Sequence, residues 1–200
     1  MSGATTRAQI VEAADRLFYR QGYQHTSFAA IADAVHLSRG NFYYHFKSKD
    51  DILGGVISAR LACTKQMTAQ WEAEEADPAG RIRKFIHILL TNRADIQRYG
   101  CPVGTLTTEL AKLNHVFLAD ATGLFSLFRV WLRDQFLLLG LGPEADSLAM
   151  HVVAFSQGVA TLANAFDDEE FIRREVQQMC DWLDDHLAGG APARRQQASA

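Results

Sequence analysis

Apolar residues recur along this chain at the three- and four-residue spacing of amphipathic helices, and no stretch alternates in the manner of a strand. Ile10, Ala13, Ala14, Leu17 and Phe18 form the first stripe, and Gly22 stands where a helix C-terminus takes a left-handed residue. The same spacing predicts further helices over about 28–35, 38–46, 48–72, 78–99, 102–113, 116–139, 143–166 and 168–187. Their starts carry capping signals: Ser48 with Asp51 three residues on, Asp77 before Pro78, and Cys101 before Pro102. The segment over 116–139 is apolar on more than one side, with Leu124, Phe125, Phe128, Trp131, Leu132 and Phe136, and is expected to be central. The last dozen residues, Gly189 to Ala200, have nothing to bury and are expected to be disordered. The pattern thus predicts an all-α chain of about nine helices: a three-helix head over 1–47, a helical bundle over 48–188 and a tail over 189–200.

Within the head, the stretch from Phe28 to Phe46 reads as a helix-turn-helix. Its first helix carries small and apolar residues at Phe28, Ala29, Ile31, Ala32 and Val35, slim enough for a second helix to pack on it. Ser38 is placed to cap that second helix, which buries Phe42 and Phe46 and leaves polar and aromatic side chains on its other faces. Arg39 and Asn41 lie near its N-terminal end, where side chains reach base edges: Arg suits the acceptors of guanine, Asn suits adenine. Thr26 and Ser27 precede the first helix of the pair, where either hydroxyl caps the helix or holds a DNA phosphate.

The run Ser-Arg-Gly-Asn-Phe-Tyr-Tyr-His-Phe-Lys-Ser-Lys-Asp over 38–50 resembles the recognition-helix signature of TetR-family repressors, and Asp33-Ala-Val-His-Leu-Ser38 fills the place of the turn before it. One departure is visible: family members often carry Gly where His36 stands, a position that tends to be left-handed. The resemblance implies that Tyr43, Tyr44, His45 and Lys49 contact the DNA backbone or base methyls, alongside Ser38, Arg39 and Asn41. It further implies a homodimer on double-stranded operator DNA, joined through the eighth and ninth predicted helices. Val152, Val159 and Leu162, with Phe171, Val176, Met179, Trp182 and Leu183, supply the apolar area for that surface. A body that binds a small organic effector is also implied. Met67, Trp71, Phe85, Leu89, Phe125, Phe128, Trp131 and Phe155, with Gln157 as a polar point, read either as the walls of that site or as ordinary core.

Charge sharpens this picture a little. The chain carries a formal net charge of −3, but residues 1–50 hold six Lys/Arg against four Asp/Glu, a net +2 that leaves −5 on the body. A mildly basic head on an acidic body suits local DNA contact. The seven histidines are scattered, none beside a nucleophile or at metal-ligand spacing, so neither a catalytic centre, a metal site nor a cofactor is expected. Asp167 to Glu170 reads as an acidic first helical turn rather than as a metal site. Three widely spaced cysteines, Cys63, Cys101 and Cys180, exclude a disulfide framework and fit a reducing compartment. The N-terminus lacks the apolar segment of a secretion signal and no apolar run of membrane-spanning length is apparent, so a cytoplasmic location is expected.

Cys101 stands apart from the other two thiols. As the cap of the helix opened by Pro102 it would meet unpaired backbone N–H groups, which favour a thiolate. The segment Gly-Cys-x-x-x-x-Leu over 100–106 is similar to one in TetR-like regulators related to the electrophile-sensing repressor NemR, where the matching cysteine reacts. The other reading is a small buried residue that packs beneath the helix. The resemblance as a whole implies a ligand-responsive repressor on a palindromic operator. A scavenging protein with a vestigial head is the alternative class. Arg39, Tyr43, His45 and Lys49 argue against it, since a decayed head would not be expected to keep all four.

Overall fold

The computed structural model describes residues 3–166 and 168–189, with the backbone alone at Gly3, Ala4, Arg39, Glu169 and Gly189. The described residues form ten helices and no strand: α1 (Gly3–Gln21), α2 (Phe28–Ala34), α3 (Arg39–His45), α4 (Lys49–Glu74), α5 (Pro78–Thr91), α6 (Arg93–Tyr99), α7 (Pro102–Lys112), α8 (Leu118–Leu138), α9 (Ala145–Phe166) and α10 (Glu169–Gly189). The class is the one expected, with one helix more. The helix expected over 78–99 breaks at Asn92, whose side-chain amide donates to Ile88 O at 2.9 Å while its own N–H also bonds back to that carbonyl. A short amide side chain that competes for a helical carbonyl is a local reason for the chain to turn there. Beyond Gly189, the tail expected over 189–200 lies outside the described residues.

The caps behave as their chemistry requires. Ser48 Oγ accepts from Asp51 N at 3.0 Å and Asp51 Oδ2 accepts from Ser48 N at 3.1 Å, the reciprocal box that opens the 26-residue α4. His36 takes φ 54° in the turn between α2 and α3. A non-glycine residue there costs about 1–2 kcal/mol. His36→Gly is therefore expected to stabilise the head by about 0.5–1 kcal/mol once the extra chain entropy of glycine is deducted; a thermal melt in which it destabilises would show the turn to depend on the imidazole.

Two apolar cores lie along the molecule. The body core joins Ile82, Phe85, Ile86 and Leu89 of α5, Trp131, Leu132 and Phe136 of α8, Val152, Val159 and Ala163 of α9, and Ile172, Val176 and Leu183 of α10. The head core joins Ile10, Ala14 and Phe18 of α1, Ile31 of α2, Phe42 of α3 and Phe46 with Ile52, Leu53, Val56 and Ile57 of α4. It also includes Leu106 and Leu110 of α7 and Ala121 of α8. α4 runs through both cores, and α1 crosses it where Gly55 would bring a Cβ to 3.0 Å from Val11, an approach only glycine makes comfortably. α8, expected to be central, packs against α4, α5, α7 and α9.

α9 modifies one expectation. Its 22 residues hold an 18-residue window with a mean hydropathy of 1.2, long and apolar enough by composition to span a bilayer. Here Val152, Ser156, Val159 and Ala163 are buried against the rest of the body, so the apolarity has an ordinary core explanation.

Candidate functional site

The helix-turn-helix is held from beneath by aromatic packing. Phe42 and Phe46 are 0 % and 2 % exposed, and the Phe28 ring meets Phe42 edge-on at 4.6 Å. Ser27 Oγ accepts from Ala30 N and Ser38 Oγ from Asn41 N, so both act as N-caps. With Phe42 and Phe46 turned inward, Ser38, Asn41, Tyr43 and Tyr44 are left on the outside, the two tyrosines 50 % and 78 % exposed. Arg39 occupies the first position of α3; its side chain is not among those described. Lys47 was not singled out from the sequence. It is exposed and donates to Tyr43 O at 2.7 Å, placing a cation at the C-terminal end of α3.

Three residues expected at the DNA have settings or partners within the protein. Thr26 is wholly buried and its hydroxyl donates to Gly22 O at 2.7 Å, tying the α1–α2 loop rather than reaching a phosphate. Lys49 is half-buried, donates to Tyr23 O at 2.9 Å and sits 4.2 Å over the Tyr23 ring, which leaves it fastening α4 to that loop. His45 is half-buried and faces a cleft along α1. For Lys49 the partner is a carbonyl and ring that only the tertiary fold brings near.

That cleft is the mouth of a cavity of about 1530 Å³ that runs from the groove between α1 and α4 into the body. Of the expected effector residues, Met67, Phe85, Leu89, Cys101, Phe125, Phe128 and Gln157 line it. Trp71, Trp131 and Phe155 do not. Trp131 is 9 % exposed, lies 5.5 Å from Trp71, and donates its indole N–H to Glu72 at 2.8 Å, clamping the end of α4 to α8. Phe155 packs against the body core. Polar lining residues unrecognised from the sequence include Tyr19, Arg60, Thr64, Asn92, Asp95 and Ser156. Their isolated polar spacing carries no signal of facing inward.

The neck of the cavity is where head and body are fastened. Arg60 donates to Asp15 of α1 at 2.7 Å and to Pro102 O at 2.6 Å, and Tyr19 of α1 donates to Gly100 O at 2.7 Å. The Tyr19 hydroxyl is held well above its ordinary pKa, first by burial and then by the Asp95 carboxylate. On the other side of α1, Glu109 of α7 accepts from both Tyr23 N and Gln24 N at 2.8 Å. Tyr23 donates to Asp50, and His115 Nε2 lies 3.3 Å from the same hydroxyl. The backbone over 100–102 is thus shared between the head and the cavity wall.

Cys101 lies within that shared backbone. It is the N-cap of α7, with Sγ accepting from Gly104 N at 3.4 Å, and it is half-buried in the cavity wall. Cys63, in mid-helix without a cap, also lines the cleft and is exposed. Cys180 is buried, and burial pushes its thiol up. Maleimide labelling of the native protein with peptide mass mapping is expected to modify Cys63 and Cys101 at least about tenfold faster than Cys180; comparable rates at all three would contradict this burial pattern. Among the described residues no group of three or more His, Cys, Asp or Glu is placed to hold a metal ion.

Comparison with known proteins bears on both ends of the molecule. Residues 10–56 match the family described as bacterial regulatory proteins, tetR family. An HTH-type transcriptional regulator of Lactococcus lactis, encoded in the lacX 3′ region, is 28 % identical over 82 % of this chain and 85 % of its own. The solved structure of a TetR-family transcriptional regulator from Agrobacterium tumefaciens is similar with a TM-score of 0.79 and 22 % identity, covering 90 % of this chain and 98 % of that one. The reduced form of Escherichia coli NemR is similar at a TM-score of 0.72 and 17 % identity over 86 % of this chain and 94 % of that one, a likeness of fold. These relatives are regulators and not enzymes. Residues 10–56 thus carry a tetR-family head, seated on an all-helical body whose fold is that of TetR-family transcriptional regulators.

Proposed function

We propose that the protein is a dimeric, ligand-responsive repressor in which residues 1–47 read a palindromic operator and residues 48–188 bind a small effector and the second subunit. The carrying observation is the sharing of one short segment: Cys101 and Pro102 line the cavity, while Pro102 O and the adjoining Gly100 O accept from Arg60 and Tyr19, which hold α1. An effector that moves this segment would re-aim the head, provided it binds the DNA-incompetent shape more tightly. Ser27, Ser38, Asn41, Tyr43 and Tyr44 form the operator surface, with Arg39 at the first position of α3 and Lys47 beside its end. The dimer surface is assigned to α9 and α10, with a different face from the one expected. Val152, Val159, Val176, Met179 and Leu183 are spent on the protomer's own core. Met150, Leu162 and Phe166 stay 49 %, 43 % and 72 % exposed, and Trp182 is half-buried between His151 and His186 at ring distances of 4.6 and 4.3 Å. A second trigger, modification of Cys101 in the manner of NemR-like regulators, is favoured by its seat in the shared segment.

Selection from a random DNA library tests the reading: a palindrome is expected, bound more weakly as salt rises. Asn41→Ala is expected to relax preference at one base position by about 1–3 kcal/mol, and Lys47→Ala to weaken all sequences alike. Enrichment of no palindrome would remove the operator reading.

A further inference from the structure

We propose that the effector is an organic cation with an aromatic or other flat apolar body, and that Asp95 is the residue that selects for its charge. The inference rests on the reading of the cavity as an effector site.

Four observations support it. The apolar part of the body half is built from Phe85, Phe125, Phe128, Met67 and Leu89, with Phe85 and Phe128 edge-to-face at 5.1 Å. Aromatic faces attract cations as well as apolar surface. Second, Asp95 lines this cavity as an exposed carboxylate and, among the described residues, has neither an ion-pair partner nor a hydrogen-bond donor. It stands third in α6, where a carboxylate would ordinarily reach back to cap its own helix, yet the N-terminus of α6 takes no side-chain cap. Its charge is therefore not consumed by the fold. Third, Arg60 in the lining is neutralised by Asp15 and further engaged by Pro102 O. Arg7, Arg16 and Lys47 line the opposite, head end. Arg16 is paired with Glu12, and Arg7 stands twelve residues from Tyr19, about 18 Å along α1, more than two screening lengths at physiological salt. Fourth, the negative field at this end is already felt by a neighbour: Asp95 is, after burial, the main cause of the raised Tyr19 hydroxyl. Asn92, Thr64, Ser156 and Gln157 add neutral polar groups and no positive charge. An anion entering here would meet an unpaired carboxylate, whereas a cation would find a counter-charge in the same cavity that holds the π-rich wall.

The test uses two xanthene dyes of opposite charge and similar frame, cationic rhodamine 6G and anionic fluorescein, titrated against the full-length protein by fluorescence anisotropy. Rhodamine 6G is expected to bind at least about tenfold more tightly. Asp95→Asn is expected to weaken rhodamine 6G about five- to tenfold without weakening fluorescein, and Asp95→Glu to keep most of the affinity. Circular dichroism melts of both variants exclude misfolding as the cause. Equal or tighter binding of fluorescein, or an Asp95→Asn variant that binds rhodamine 6G as the wild type does, overturns the charge assignment and leaves the effector site standing. Binding of neither dye overturns the effector-site reading along with it.

Discussion

Phe42→Ala is expected to remove operator binding altogether and to lower the melting temperature by about 10 °C. Phe42 is wholly buried at the centre of the head core, with the Phe28 ring edge-on at 4.6 Å. Truncating such a ring costs about 3–5 kcal/mol in lost transfer energy and cavity formation. That is a large part of the stability of an ordinary domain, and in a chain of this size each kcal/mol moves the melting point by about 2–4 °C. α3 has only seven residues and cannot persist without packing, so its outward side chains lose their positions at the same time. Tyr44→Ala is the contrasting variant. At 78 % exposure it should melt within about 1–2 °C of the wild type and lose affinity only through its own contacts. A Phe42→Ala protein that melts with the wild type would mean that the two helices are not held through this ring.

Leu162→Glu is expected to yield monomers whose heads remain folded and whose operator affinity falls by at least about a hundredfold. Leu162 lies on the side of α9 that the protomer leaves open, with Met150 and Phe166 also exposed on that helix. A buried carboxylate without a partner is a severe penalty in an apolar interface. Because Leu162 is 43 % exposed within one protomer, the charge costs the isolated chain little. Two tethered heads gain about 10²–10⁴ in avidity over one, and separation forfeits that factor. Light scattering and operator titration read the two effects independently. A wild-type protein that is monomeric at micromolar concentration would refute the dimer assignment.

What was legible in the sequence was chiefly local chemistry. The Ser48–Asp51 box, the stop at Gly22, the left-handed His36 and the Cys101 cap ahead of Pro102 depend on neighbours a few residues away, and each is found where the sequence places it. Periodicity separated Phe42 and Phe46 from Tyr43 and Tyr44 for the same reason: one helical turn decides which face is inside. Less was legible where a partner is defined only by the fold. Nothing in the sequence marks the Tyr23 carbonyl to which Lys49 donates, or the Gly22 carbonyl to which the Thr26 hydroxyl donates. Trp131 looks like a pocket wall until Glu72 takes its N–H. Val159 looks like interface until the body core is seen to need it. Arg60 and Asp95 gave no signal at all, because a lone charge in a helix is ordinarily solvated.

The composition of the head core has a consequence for engineering. Regulators with interchangeable heads are attractive as biosensor parts, and the obvious joint is the short link before α4. A cut there would not pass between two independent modules. Ile52, Leu53, Val56 and Ile57 follow the joint, and Leu106, Leu110 and Ala121 arrive from much later in the chain, yet all of them pack into the same core as Phe18 and Phe42. Glu109 adds a graft-specific requirement, since its carboxylate is fitted to two backbone N–H groups of the α1–α2 loop. A transplanted head would bring its own first three helices to a seat shaped for another. Compatible chimeras should therefore exchange the inward faces of α4 and α7 along with the head, and the quality of the hybrid should follow how well that seat is matched rather than the similarity of the recognition helices.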